Sequence, residues 1–208
     1  MRLVLIGPPG VGKGTQAGLL KSRLGIRHIS SGDVFRAEIN AGSKLGSLAQ
    51  KFIDAGELVP DDVTVGMMAR HLETKDPHDR GFVLDGFPRT VAQAIALDAK
   101  LEPTGQGISR AIAIEVPDEV LVERLGGRRM GKTDGKIYHI AFNPPPAGVE
   151  VITRSDDMPD VIRERLRVFH ENTRPVVDYY RERGKLRTVD GMADLEVVYA
   201  EICAAMYQ

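Results

Sequence analysis

Gly7-Pro-Pro-Gly-Val-Gly-Lys-Gly-Thr15 constrains the fold of this chain more than any other stretch. A short apolar run, Leu3-Val-Leu-Ile6, precedes it and helical spacing follows it, so the local order is strand, glycine-rich loop, helix. Such a loop leaves its backbone N–H groups unobstructed, and they converge on phosphate oxygens at the positive end of the helix. On this reading Gly10, Val11, Gly12, Lys13, Gly14 and Thr15 hold nucleotide phosphates, with Lys13 adding a full charge. The run matches G-x-x-x-x-G-K, but Gly14 stands where the general pattern has Ser or Thr, and the hydroxyl comes one place later at Thr15. A Mg²⁺ ion accompanying the nucleotide is therefore expected to lack a direct ligand from the usual position.

Apolar runs alternate with amphipathic stretches along all 208 residues. Strands are predicted at 2–6, 27–30, 80–85, 110–116 and 186–189. Helices are predicted at 13–24, 33–40, 44–54, 61–73, 90–101, 118–125, 158–170, 175–183 and 194–206, with Gly42 and Gly56 closing two of them. Ala111 to Ile114 is apolar throughout, as a strand covered on both faces should be. Five strands separated by helices predict an α/β fold with a five-stranded parallel sheet flanked by helices, its ligands at the carboxyl ends of the strands. The rhythm breaks over 128–157, where two short strands at 129–133 and 136–140 flank the hairpin signal Asp134-Gly135, and Asn143-Pro-Pro-Pro146 forms a turn or an edge.

Asp85-Gly-Phe-Pro-Arg-Thr90 is the second chemical signal. Asp85 ends a strand, where a carboxylate organises the water around a phosphate-bound Mg²⁺. Arg89 and Gln93 share a helix face, the one suited to a phosphate and the other to a base edge. Arg163, Arg165 and Arg167 crowd one helix, and spacing alone does not say which of them faces a ligand.

These motifs, with Ile29-Ser-Ser-Gly-Asp33, Arg36, Gly56-Glu-Leu-Val-Pro-Asp61, Gly127-Arg-Arg129, Tyr138-His139, Phe142-Asn-Pro-Pro145, Arg154-Ser-Asp-Asp157 and Val189-Asp-Gly191, resemble the adenylate kinases among the nucleoside monophosphate kinases, in the family's order and over the whole chain. Gly14 is what that family carries. The resemblance implies a P-loop core of residues 1–29, 60–126 and 158–208, a mobile AMP-binding helical insertion at 30–59 and an ATP-covering, β-rich lid at 127–157. It implies AMP contacts from Ser31, Arg36, Glu57, Leu58, Val59, Gly86, Phe87, Pro88, Arg89 and Gln93. It implies ATP contacts from Arg124, Arg128, Ile137, Tyr138 and Ala193 besides the loop, with Arg154 and Arg165 clamping the transferring phosphates. The expected activity is reversible transfer from MgATP to AMP giving two ADP, carried by Lys13, Arg89, Arg124, Arg154 and Arg165.

The lid has Met130 and Thr133 and no later cysteine pair where some relatives place a zinc site, so no structural zinc is expected. It is also several residues shorter after Pro146 than the long bacterial form. The formal net charge of −1 gives no general attraction to nucleic acid or membrane, and no apolar run reaches the length of a bilayer span. The single Cys203 forms no internal disulfide, is expected to be a buried thiol, and with the short first strand favours a cytoplasmic protein; nothing in the sequence demands an oligomer, so a monomer is expected. The five histidines have no H-x-x-x-H spacing. Competing readings are a kinase of the same group acting on UMP, CMP or GMP, a nucleotide-sensing module without turnover, and a GTP-dependent switch; the last would need an Asn-Lys-x-Asp motif, which is missing.

Overall fold

The protein is described by a computed structural model covering residues 1–73 and 80–208. Strands β1 (Arg2–Ile6), β2 (Arg27–Ser30), β3 (Phe82–Asp85), β4 (Arg110–Glu115) and β8 (Leu186–Asp190) form one sheet in the order β2-β3-β1-β4-β8, parallel at every pairing. Val4 lies between Leu84 and Ala111, and alternate residues of each strand feed opposite faces. Val4, Ile6, Leu84 and Ala111 join a core with helices α4 (Asp61–Glu73), α5 (Val91–Leu101) and α8 (Arg174–Glu182). Leu3, Leu5, Val83, Ile112 and Ile114 join a second core with α1 (Lys13–Leu24), α6 (Asp118–Gly126), α7 (Pro159–Val168) and α9 (Leu195–Ala205). Burial on both faces is why these strands read as unbroken apolar runs, and each fully buried aliphatic side chain contributes about 1.5–3 kcal/mol.

The register brings the ends of three strands together. Asp85 pairs with Leu5 on one side and Ser30 on the other, so the carboxylate, the start of the glycine loop and the turn into α2 (Ser31–Asn40) share one edge. Capping fixes the helices that leave that edge: Ser30 accepts from the Asp33 N–H at 3.2 Å and Thr90 accepts from the Gln93 N–H at 3.1 Å. Helix α3 (Lys44–Ala55) opens on Ser43 and ends at Gly56 in the left-handed conformation, and Gly42, just beyond α2, is left-handed too. A small antiparallel sheet, ordered β6 (Ile137–His139), β5 (Arg128–Gly131), β7 (Val151–Ile152), stands apart from the main one.

Several boundaries differ from those the sequence predicts. Strand β3 starts at Phe82 rather than Arg80, after a glycine at which a Cβ would collide with the Met1 carbonyl. The hairpin strands are shorter than predicted, and β7, only two residues long, is a third strand that no periodicity could reveal. The gap predicted between the helices at 158–170 and 175–183 is instead a π-helical turn, Phe169–Thr173, so the chain stays helical from α7 into α8. Helix α2 starts at Ser31 rather than Asp33, with Ser30 as its cap. Cys203 is half-buried rather than buried, beside the Tyr199 hydroxyl. His78 lies outside the described residues, and no helix among them is long and apolar enough to cross a membrane.

Candidate active site

One cleft of about 1140 Å³ runs along the carboxyl edge of the large sheet, from the AMP-side residues implied by the resemblance to the small sheet. The glycine loop forms its floor. Gly10 is left-handed (φ 85°), and a Cβ there would lie 2.8 Å from Leu125 Cγ, so the turn and the close approach to α6 both require glycine. Helix α1 then starts at Lys13 with its first N–H groups facing the cleft. Lys13 Nζ donates to the Gly7 and Pro8 carbonyls at 2.7 and 2.9 Å, which leaves one of its three N–H groups for an anion. Burial pushes this lysine down to about 8, partly opposed by Asp85.

Asp85 faces Lys13 from the end of β3. Burial alone would raise its carboxyl, but the neighbouring His28, its Nε2 3.5 Å from Asp85 Oδ2, and the Lys13 charge outweigh burial and hold it ionised below the usual range. A Cβ at Gly14 would sit 3.4 Å from Asp85 Oδ2. Glycine thus leaves the space before the carboxylate clear, and Thr15 is exposed and lines the cleft. One ionised carboxylate beside a phosphate-binding loop fits a Mg²⁺ that keeps most of its water, since that ion dehydrates reluctantly. Among the described residues no cluster of three His, Cys, Asp or Glu side chains is arranged to hold a metal.

The turn after Asp85 gathers the second half of the site. Gly86 is left-handed (φ 73°), and its carbonyl accepts from Ser31 Oγ at 2.7 Å and from Arg89 Nε at 2.9 Å. Gln93, 1% exposed, accepts from the Arg89 N–H through Oε1 at 2.7 Å and donates from Nε2 to Asp61 Oδ1 at 2.7 Å. Ser31, Arg36, Glu57, Leu58, Val59, Gly86, Pro88, Arg89 and Gln93 all line the cleft. Phe87 is the exception among the expected residues: its side chain is 2% exposed and belongs to the core under the sheet, so it anchors the turn and leaves its neighbours to face the cleft.

Arginines dominate the middle of the cleft. Arg165 donates to the Asp156 carbonyl at 2.8 Å and to Asp157 at 3.2 Å; Arg128 grips Asp157 with two bonds, at 2.7 and 2.5 Å. Burial pushes Arg165 down to about 10 against the pull of Asp156. Arg154 is also pushed to about 10, by burial and then by the charges of Arg36 and Arg128, and its buried Nε has no hydrogen-bond partner. Burial lowers Arg89 as well. Burial would raise Asp156, yet Arg165, Arg128, Arg154 and Arg36 together hold it low. These cations exceed the carboxylates among them, so the pocket is built for further negative charge.

Of the three arginines on α7, only Arg165 reaches the cleft. Arg163 pairs with Asp160 and Arg167 with Glu164 and Glu171, all on the surface. At the far end Arg124 donates to the Gly191 carbonyl at 3.3 and 3.2 Å, near Ala193. Ile137 is exposed to the cleft, and Tyr138 is buried, its hydroxyl donating to Asp134 at 2.7 Å. His139 stacks on Phe142 with centroids 4.4 Å apart, and both line the same end. Sequence reasoning gave no role to Asp61, Asp156, Asp157 or His28. The acidic pair beside Arg154 was the available signal for two of them, because buried guanidinium groups need counter-charge.

A family model described as adenylate kinase matches residues 5–185. The chain is 49% identical to an adenylate kinase of Desulfitobacterium hafniense (strain Y51) and 47% identical to those of Shouchella clausii and Symbiobacterium thermophilum. Each alignment covers 99% of this chain and 98% of the relative.

Proposed function

Because this chain belongs to the adenylate kinase family, we infer that its cleft transfers the γ-phosphoryl group of ATP to AMP, reversibly, giving two ADP. The observation that carries this reading is the set of desolvated, under-neutralised cations, Arg89, Arg154 and Arg165, between the glycine loop and the Gly86 turn. Two polyphosphate anions repel each other strongly, and a pocket that brings them together must supply fixed positive charge before they arrive.

The loop N–H groups of Gly10 to Thr15 and the remaining Lys13 N–H hold the phosphates of ATP. Arg124 and Arg128 lie further along, and Ile137, Tyr138 and Ala193 bound the end taken by its base. AMP lies against Ser31, Arg36 and Glu57 to Val59, with its phosphate on Arg89 and the turn Gly86-Phe87-Pro88, and its adenine against Gln93. Arg154 and Arg165 stand between, where the moving group gathers charge on its equatorial oxygens. The AMP phosphate is already a nucleophile, so positioning and charge stabilisation carry the reaction without a general base. Mg²⁺ arriving with ATP would be held through water by Asp85 and would neutralise phosphate charge.

Residues 30–59 and 127–157 act as the two mobile covers over a core of 1–29, 60–126 and 158–208. Their closure excludes water, which otherwise competes as acceptor. The test is ADP formation from ATP with AMP, UMP, CMP and GMP as acceptors. AMP should be the preferred acceptor, and Lys13→Met should reduce turnover by roughly a hundredfold or more without lowering the unfolding midpoint below that of the parent. Failure of the parent protein to form ADP from ATP and AMP, or parental turnover in Lys13→Met, would overturn the reading.

A further inference from the structure

An amide side chain can exchange its oxygen and nitrogen by a half-turn about its last torsion. Adenine presents a donor, the 6-amino group, beside an acceptor, N1, whereas hypoxanthine presents acceptor O6 beside donor N1–H. A freely turning glutamine serves both. Preference for a 6-amino purine at Gln93, which rests on the adenine position assigned above, therefore needs something that fixes the amide.

We propose that Asp61 is the positioning residue that sets the base preference of the acceptor site, by locking the Gln93 amide in one orientation. A carboxylate only accepts, so Gln93 Nε2 has to face Asp61 Oδ1, at 2.7 Å. The carboxylate is clamped in turn: Thr90 Oγ1 donates to Asp61 Oδ2 at 2.8 Å and accepts the Gln93 backbone N–H at 3.1 Å. The Arg89 N–H, at 2.7 Å from Oε1, enforces the same orientation from the other side. A half-turn would set the amide oxygen against a carboxylate and the amide N–H groups against another N–H, forfeiting both bonds. The locked amide keeps one N–H and one lone pair, a fixed donor and acceptor on a side chain that lines the cleft. Asp61 itself is not among the cleft-lining residues; it stands two places beyond Val59, at the first residue of α4, and acts only through Gln93.

Asp61→Asn removes one of the two restraints, because asparagine can offer Gln93 either a carbonyl or an N–H. The experiment compares kcat/KM for AMP with that for IMP at fixed ATP. The AMP-to-IMP ratio should fall about tenfold in Asp61→Asn, the effect of one hydrogen bond to a charged group, with KM for ATP within about twofold of the parent. Thr90→Val, which removes both the donor to Asp61 Oδ2 and the cap on the Gln93 N–H, should lower the ratio about threefold. Loss of packing alone would depress both acceptors together and leave the ratio alone. A ratio within twofold of the parent in Asp61→Asn overturns the proposal and leaves phosphoryl transfer standing, whereas a parent that forms no ADP from ATP and AMP removes the function on which it rests. If Asp61→Asn does not fold, Thr90→Val decides: a threefold fall supports the lock and an unchanged ratio overturns it.

Discussion

Replacement of Asp157 by asparagine tests whether the arginine cluster is held by buried counter-charge. The Asp157 side chain is 1% exposed and accepts from Arg128 Nε and Nη2 and from Arg165 Nη1. Breaking a buried pair by neutralising one member costs about 3–5 kcal/mol, because the remaining charge is left desolvated. Asparagine keeps the shape and one acceptor, so the lower end, about 3 kcal/mol, is expected in urea unfolding. For a chain of this size that corresponds to a drop of about 6–12 °C in the unfolding midpoint. Arg128→Met should also destabilise, and the double variant should lose less than the sum of the singles, with a coupling of about 1–3 kcal/mol. A loss below about 1 kcal/mol in Asp157→Asn, or losses that add, would show that Arg128 and Asp157 are solvated independently and would refute the account of the cluster as a desolvated charge network.

The titration of Lys13 should be visible in the pH dependence. In the proposed role of Lys13 the ammonium is the form that would hold phosphate, and with its value pushed down to about 8, kcat/KM for ATP should be level near neutrality and fall above about pH 8. Bound phosphate raises that value again, so kcat should fall only at higher pH; a kcat/KM level through about pH 9.5 would contradict this. The same shift has a definite sign for stability. Its folded value lies below the ordinary 10.5, so Lys13 opposes folding at pH below about 8, and the penalty is relieved as pH rises from 8 towards 10.5. At the acceptor end, Gly86→Ala would place a Cβ 2.8 Å from Ser31 Oγ and 3.1 Å from Arg89 Nη2, at a backbone angle that disfavours side chains. KM for AMP should rise by about tenfold with KM for ATP little changed, and an equal rise in both would show a general loss of structure instead.

The main sheet and the glycine loop were legible because each rests on local chemistry. Apolar runs such as Ala111–Ile114 mark strands covered on both faces, and the glycines around Lys13 mark a tight left-handed turn that leads straight into α1. The arginines were legible only in aggregate. Arg163, Arg165 and Arg167 have the same residue type on one helix, and what separates them is that Arg165 alone meets Asp156 and Asp157, which belong to another element. Phe87 shows the opposite limit: a motif read as one ligand-binding run divides in three dimensions, with Gly86, Pro88 and Arg89 facing the cleft and Phe87 facing the core. Asp61 and Gln93 are 32 residues apart in sequence, and only the packing of α4 against α5 makes them one unit.

This division of labour bears on why so many cations can sit together before any nucleotide arrives. Arg154 with a buried, unpartnered Nε and Arg165 pushed to about 10 are unfavourable elements that the two hydrophobic cores must offset. Phosphates supply the missing negative charge, so ligands that fill both halves of the cleft should bind the arrangement with these arginines converged more tightly than one with them spread apart. A single nucleotide satisfies only part of the set, and the free energy released by the second depends on cations the first has already gathered. Positive coupling between the two substrates then follows from electrostatics alone: two anions that repel in water favour each other's binding because they share Arg154 and Arg165.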